Sequence, residues 1–121
     1  MKKATVEISS EGCVAIVSFT SSCLSDVEEI TDASARIRQY VQANPSHEII
    51  FDFSGVKFFS SQVLGLLLEA RGYVKPHGGH VAVCTLDSQL HRVFRITNLD
   101  RIFTFFPDRQ AALAASQVLD G

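Results

Sequence analysis

The sequence lacks most features that would place it outside ordinary globular proteins. Its three cysteines are widely spaced with no Cys-x-x-Cys pair, which argues against a disulfide framework and predicts buried, reduced thiols. Basic residues form no run, and a formal net charge of −2 offers no attraction for nucleic acid or an anionic membrane. The longest apolar run, Val63 to Leu68, is too short to cross a bilayer, and no apolar stretch follows the N-terminal lysines as in a signal peptide. We therefore expect one cytoplasmic domain over residues 1–121, without direct membrane insertion.

Motifs for catalysis and for cofactors are also absent from the sequence. Neither phosphate-binding glycine pattern occurs, and no Gly-x-Ser-x-Gly elbow surrounds Ser60 or Ser61. His77 and His80 lie around a Gly-Gly turn without a second pair of ligands, so exposed turn histidines explain them better than a metal site. The sequence predicts a protein that is not an enzyme and has no cofactor. A small-molecule binding domain would need a polar cavity, for which the sequence gives no sign.

Hydrophobic periodicity predicts alternating strands and helices. Nine phenylalanines and a hydrophobic share of 46% are ordinary for a folded domain. A hairpin is expected from strands over 4–9 and 13–19, and Ser25 to Glu28 has the form of a capping box before an amphipathic helix. That helix should turn Val27, Ile30, Ser34, Ile37 and Val41 to one side and end at Asn44-Pro45.

The second half of the chain continues the alternation. The predicted elements are a strand over 49–53, a helix over 61–73, a strand over 81–84, a helix capped by Asp87, a short strand within 102–105 and a helix from Pro107-Asp108 to about Val118. The order ββαβαβα(β)α predicts an α/β fold, in which a mixed sheet of four to five strands packs against about four helices. Asp52 is expected to support the turn through Gly55 by bonds from its side chain to the backbone.

Ser60 and Ser61 stand directly before the second helix. Serine at such a position usually caps the helix, because its hydroxyl accepts a hydrogen bond from a free backbone N–H. A phosphorylation site is the functional alternative. The N-terminus of a helix tolerates the charge of about −1.5 to −2 on a phosphoryl group, whereas an apolar or acidic partner surface does not.

Four segments together carry a resemblance to a known family, the STAS domain, which is the fold of bacterial anti-sigma factor antagonists. The strand Ile49–Val56 resembles the family's V-x-D-L-S-G-V, and Phe58–Gly65 resembles its F-I-D-S-S-G-L-G. The Gly78–Val83 segment is similar to its GG-x-L-x-L strand entry, and Leu90–Phe103 to its L-x-x-T-G-L-D-x-x-F ending. The match runs from about Glu48 onward and loosely includes the N-terminal hairpin.

The resemblance implies a phosphorylation switch that regulates transcription. In that family a partner serine kinase, often the anti-sigma factor itself, supplies ATP and phosphorylates the serine, and a phosphatase removes the phosphoryl group. The acceptor position falls on Ser61 rather than Ser60, which leaves Ser60 as the expected cap. Ser60, Gln62 and Val63 stand where the family commonly has Asp, Ser and Gly.

The expected partner-binding surface is the loop over 54–61 together with the start of the second helix. Its residues are Ser54, Lys57, Phe58, Ser60, Ser61 and Gln62. The resemblance also leaves an alternative open, a scaffold or accessory domain of a signalling or transport assembly that is not phosphorylated.

Overall fold

Strands and helices alternate along the chain as the periodicity predicts. The computed structural model describes residues 6–44 and 48–120, apart from the side chains of His77 and residues 117–120, so the predicted strand residues 4 and 5 and the helix-ending Pro45 lie outside it. The elements are β1 (Val6–Glu11), β2 (Val14–Phe19), β3 (Cys23–Leu24), α1 (Val27–Ala43), β4 (Glu48–Asp52), β5 (Phe58–Phe59), α2 (Ser61–Val74), β6 (His80–Cys84), α3 (Ser88–Ile96), β7 (Thr104–Phe106) and α4 (Arg109–Asp120).

Five of the strands form a mixed sheet in the order β1-β2-β4-β6-β7, and the short strands β3 and β5 pair separately. Only β1 pairs antiparallel, because the hairpin joins it to β2, and the other three pairings are parallel. In the central strand β4, Phe51 is aligned with Val17 of β2 and with Val83 of β6. The prediction of an α/β fold with a mixed sheet of four to five strands and about four helices is confirmed.

Helices cover both faces of this sheet. Three successive crossovers advance across it in one direction, which places α1, α2 and α3 side by side on one face, with α2 in the middle. The larger core cluster lies under these helices and includes Val17, Phe51 and Phe94. On the other face a smaller cluster packs against α4, with Ile16 and Ile50 among its members. Strand side chains alternate between the two clusters as the pleat requires.

Three local predictions need correction. The cap of α1 is Asp26 rather than Ser25, since the Asp26 carboxylate accepts a hydrogen bond from the Glu29 N–H at 3.0 Å. Val27, predicted to lie on the buried face, is 65% exposed because the first turn of α1 extends past the core. Cys13 and Cys23, predicted to be buried, are exposed.

Two predicted features agree with the structure. Asp87 caps α3 by accepting a hydrogen bond from the Leu90 N–H at 2.9 Å. Cys84 is buried, and this burial, together with the nearby charge of Asp52, raises the pKa of its thiol to about 11.

Candidate functional site

The loop between β4 and α2 is held at its start by Asp52. One oxygen of this buried carboxylate accepts a hydrogen bond from the Ser54 N–H at 2.9 Å, which confirms its predicted support of the turn. Gly55 follows with φ +82°, a left-handed conformation that a side chain would strain. The turn closes with a bond of 3.0 Å from the Val56 N–H to the Phe53 carbonyl. Ser54 is therefore exposed at the tip of an ordered turn.

The far end of the loop is fixed by a two-stranded parallel sheet that the sequence did not predict. Strand β5 pairs with β3, which aligns Phe58 with Cys23. The N–H groups of Lys57 and Phe58 both donate to the Ser22 carbonyl, at 2.8 and 3.2 Å, and the Ser60 N–H donates to the Leu24 carbonyl at 2.9 Å. These hydrogen bonds fix the backbone of the loop at this edge. The side chains of Lys57 and Phe58 are exposed to solvent there, and Phe58 is 54% exposed.

Ser60 and Ser61 differ in their surroundings. Ser60 occupies the capping position of α2, but its hydroxyl makes no capping hydrogen bond, so the predicted capping role is wrong. The Ser60 Oγ atom is buried and has no hydrogen-bond partner within residues 6–44 and 48–120. Ser61, by contrast, is the first residue of α2 and is exposed. An incoming protein can therefore reach the hydroxyl of Ser61 but not that of Ser60.

A neighbouring helix adds residues that the sequence did not reveal. The Gln62 side-chain amide donates to the Thr31 hydroxyl at 3.3 Å, which joins the first turn of α2 to α1. Val27 lies one turn before Thr31 on the same side of α1, and its side chain is exposed. The sequence signal for the exposure of Val27 was its position in the first turn of α1. A side chain there extends beyond the core that buries later residues of the helix.

A second missed residue is Arg109, in the first turn of α4. Its Nε donates to the free oxygen of Asp52 at 3.0 Å, and its NH2 group donates to the Ser18 hydroxyl at 3.2 Å. The Arg109 guanidinium thus connects α4 to the end of β4, where the loop begins. No local pattern could reveal this contact, because 57 residues separate Arg109 from Asp52.

The site offers hydroxyls and apolar side chains rather than catalytic groups. His91 lies against the ring of Phe105, with ring centroids 4.7 Å apart, and His80 is exposed. His47 lies outside the described residues. In the described ranges there is no group of three His, Cys, Asp or Glu side chains able to hold a metal ion.

Two surface clefts lie beside the site, and the wider one, a depression of about 610 Å³ on α1, includes Val27 and Thr31 in its lining. The cleft between α1 and α2 has a volume of about 240 Å³ and includes Thr31, Ser34, Gln62 and Glu69 in its lining. No helix in residues 6–44 or 48–120 combines the length and apolar character needed to span a membrane. The two clefts are open to solvent rather than enclosed, which suits contact with another protein surface better than enclosure of a ligand.

Residues 6–112 match the family model of the STAS domain. An anti-sigma F factor antagonist from Paenibacillus polymyxa is 24% identical over 79 residues, which cover 65% of this chain and 68% of the relative. A solved STAS domain protein from Planctomyces limnophilus is similar with a TM-score of 0.83 and 23% identity, covering 94% of this chain and 98% of that one.

A further similar structure is the anti-sigma factor antagonist SpoIIAA in its unphosphorylated form, with a TM-score of 0.81, 15% identity and coverage of 93% and 96%. SpoIIAA, a Bacillus cell fate determinant, also matches in its phosphorylated form, with a TM-score of 0.71, 14% identity and coverage of 91% and 98%. At these identities the solved structures show a shared fold.

Proposed function

This chain belongs to the STAS domain family, and we propose that it is a regulatory protein that binds an anti-sigma factor and is released by phosphorylation of Ser61. The partner in this proposal is an anti-sigma factor with serine-kinase activity, and a phosphatase reverses the modification. The domain itself is not an enzyme and carries no cofactor in this proposal. It extends over residues 1–121 and works in the bacterial cytoplasm.

The observation that carries the proposal is the exposure of Ser61 at the start of α2, directly after a fixed loop that exposes the apolar side chain of Phe58. Phe58 is 54% exposed on that loop, and Val27 adds an exposed apolar side chain on α1, one turn before the Thr31 that bonds to Gln62. Unmodified, this surface can pack against an apolar partner patch. A phosphoryl group on Ser61 would put a charge of about −1.5 to −2 into that contact, and its uncompensated desolvation would oppose binding.

The start of α2 also supports a modification that leaves the fold intact. The first N–H groups of a helix have no partner within the helix, and the Ser60 hydroxyl does not cap them. Phosphate oxygens on Ser61 could accept from these donors at the positive end of the helix. Ser54, Lys57 and Gln62 complete the proposed contact surface with Phe58, while Ser60 contributes mainly its backbone.

Two variants of Ser61, used as bait in extracts of the native cells, test the proposal. We expect Ser61→Ala to retain an anti-sigma factor and Ser61→Asp to lose it. Ser88→Asp is the matched control, because Ser88 is likewise the exposed first residue of a helix, α3, and gains the same charge. Protein from the same cells should carry a partly populated species heavier by about 80 Da, the mass of one phosphoryl group, mapped to Ser61.

The opposite result would assign the chain to the alternative class. If both Ser61 variants bound the partner like the wild type and no phosphorylated species appeared, the switch would be refuted. The protein would then act as a scaffold or accessory domain in a signalling or transport assembly. The replacement of the family's common Asp by Ser60 is the feature that favours this second function.

A further inference from the structure

A basic cleft lies where α2 ends and the strands β6 and β7 begin. It has a volume of about 250 Å³, and the side chains of Arg71, Lys75 and His80 are part of its lining. The two clefts beside the Ser61 site both include carboxylates, whereas no acidic side chain is among the described residues that line this one. The cleft therefore concentrates positive charge in a chain whose formal net charge is −2.

The backbone at the end of α2 brings the three basic residues together. Arg71 and Lys75 are four residues apart, so they lie on the same side of the helix end. A 3₁₀ turn over Lys75–His77 follows, and Gly78 then adopts a left-handed conformation with φ +74°, which a side chain would strain. The chain reverses there, and β6 begins with the exposed His80.

The fold does not use these positive charges. Basic side chains near the C-terminus of a helix often bind its last carbonyl groups, but backbone donors do so in α2. The Gly78 N–H donates to the Lys75 carbonyl at 2.9 Å, and the Gly79 N–H donates to the Val74 carbonyl at the same distance. The three basic side chains make no ion pair or hydrogen bond with any residue that the structure describes. They are therefore available to a ligand.

The charge and the volume of the cleft define the kind of ligand. Arg71 and Lys75 together carry two positive charges, which the charge of about −1.5 to −2 on a phosphate group balances better than a single carboxylate does. The Arg71 guanidinium presents a planar fork of N–H donors that matches two phosphate oxygens, and Lys75 adds a point charge. A volume of about 250 Å³ is below the roughly 300–1,000 Å³ of pockets for drug-sized molecules, which limits the ligand to a small one.

Residues at the beginning of β7 complete the cleft. The Thr104 hydroxyl is a further donor, and the side chain of Ile102, which is 41% exposed, forms an apolar wall. Because the Gly78 and Gly79 N–H groups already bind carbonyls, side chains rather than the backbone must hold the phosphate. In this respect the cleft differs from phosphate sites at helix N-termini, where free N–H groups bind the anion.

We propose that this cleft binds a phosphate group, free or as part of a small phosphate ester, through Arg71, Lys75 and His80. The site lies at the opposite end of α2 from Ser61. Since α2 has 14 residues and rises about 1.5 Å per residue, the two sites are about 20 Å apart. A ligand in the cleft therefore leaves the surface around Ser61 free, and its binding does not depend on the proposed switch.

Titration of the full ¹⁵N-labelled chain at low salt, followed by NMR, tests the proposal. Inorganic phosphate and propyl phosphate should each shift the amide signals of His80 and Thr104 to saturation and leave that of Ser61 unchanged. Acetate should bind at least about tenfold more weakly, because it carries one charge. Tighter binding of propyl phosphate than of inorganic phosphate would identify an ester as the ligand, since its carbon chain can contact Ile102. Equal binding would identify free phosphate.

Paired variants locate the site. Arg71→Gln with Lys75→Gln should weaken phosphate binding by about tenfold or more, the loss expected when hydrogen bonds to a charged group are removed. The matched control is Arg38→Gln with Arg92→Gln, which removes two positive charges from exposed positions outside the cleft and should bind like the wild type. Thr104→Val removes a donor without a change of charge and should weaken binding several-fold. Circular dichroism melts confirm that each variant is folded.

Several results would overturn the proposal. Equal weakening by the two double variants would show a response to net charge alone, without a site. Acetate that binds as tightly as phosphate would contradict the charge argument, and signal changes confined to Ser61 would place the anion at the other end of α2. Ser61→Ala should bind phosphate in the cleft like the wild type. Failure of the Ser61 switch would therefore leave these results unchanged, so the two proposals are tested separately.

Discussion

The Asp52 carboxylate joins Arg109 on one face of the sheet to the loop that precedes Ser61. Its Oδ2 accepts from the Arg109 Nε at 3.0 Å, and its Oδ1 accepts from the Ser54 N–H at 2.9 Å. The Asp52 side chain is 8% exposed, so this bridge is shielded from water better than an ordinary surface ion pair. Helix α4 therefore helps to set the conformation of the loop although it packs on the opposite face.

A double-mutant cycle on Asp52→Asn and Arg109→Met should give a coupling free energy of about 1–2 kcal/mol, because one partner is buried. The matched pair is Asp32–Arg36, an exposed ion pair within α1, for which Asp32→Asn and Arg36→Met should couple by less than about 0.5 kcal/mol. Urea denaturation of the four proteins of each cycle measures both values. Equal coupling in the two cycles would show that burial of Asp52 adds nothing.

Ser60→Ala should change the free energy of unfolding by less than about 0.5 kcal/mol in either direction. Replacing a capping serine by alanine usually lowers the free energy of unfolding by about 1 kcal/mol. The Ser60 hydroxyl, however, makes no capping bond and is buried without a partner among the described residues. Asp87→Ala, which removes a capping bond of 2.9 Å, is the control and should cost about 1 kcal/mol. Thermal or urea melts compare them, and a loss for Ser60→Ala as large as that for Asp87→Ala would restore Ser60 as a cap.

Two of the three thiols should react with a thiol reagent in the folded protein at about pH 8, near the ordinary pKa of cysteine. Cys13 and Cys23 are exposed, whereas Cys84 is buried with a pKa raised to about 11, so its thiolate is scarce at that pH. Unfolding in denaturant should release the third equivalent. The variant Cys84→Ala should leave the count in the folded state at two, and a count of one would contradict this assignment.

Gly65→Ala should stabilise the protein by up to about 1 kcal/mol. Gly65 lies in the interior of α2 with open space around its Cα, so alanine gains helix propensity without a clash. Gly55→Ala is the opposite case, because Gly55 has φ +82° in the loop before Ser61, and alanine there should destabilise by about 1 kcal/mol. Melting temperatures of the two variants should therefore shift in opposite directions, and shifts of the same sign would be inconsistent with this structure.

Much of the fold could be predicted because its signals are local. The α2 helix was predicted over 61–73 and occupies Ser61–Val74, and the strand predicted over 81–84 is β6, His80–Cys84. Each depends on periodicity and on turn residues close by in the chain. The short pair β3 and β5 was missed since its two strands are only two residues long and are stabilised by bonds to a segment about 35 residues away.

The candidate site was predictable only in part. As expected, one loop and the start of one helix contain Ser54, Lys57, Phe58, Ser61 and Gln62. The hydroxyl of Ser60, however, is buried and cannot be reached from solvent. Thr31 and Arg109 join the region from α1 and α4. These residues reach the site because helices pack on two faces of one sheet. No local sequence pattern predicts such contacts between distant segments.

The sequence by itself determined the α/β alternation, the family resemblance and the place of two serines before a helix, because those properties follow from neighbouring residues. The tertiary structure alone decided which serine is accessible, since the Ser60 backbone is bonded to β3 and its hydroxyl is buried, whereas Ser61 is exposed. It also decided that Asp52 is paired with Arg109 and that Val27 is exposed. These are relationships between distant segments, and only their packing against a common sheet creates them.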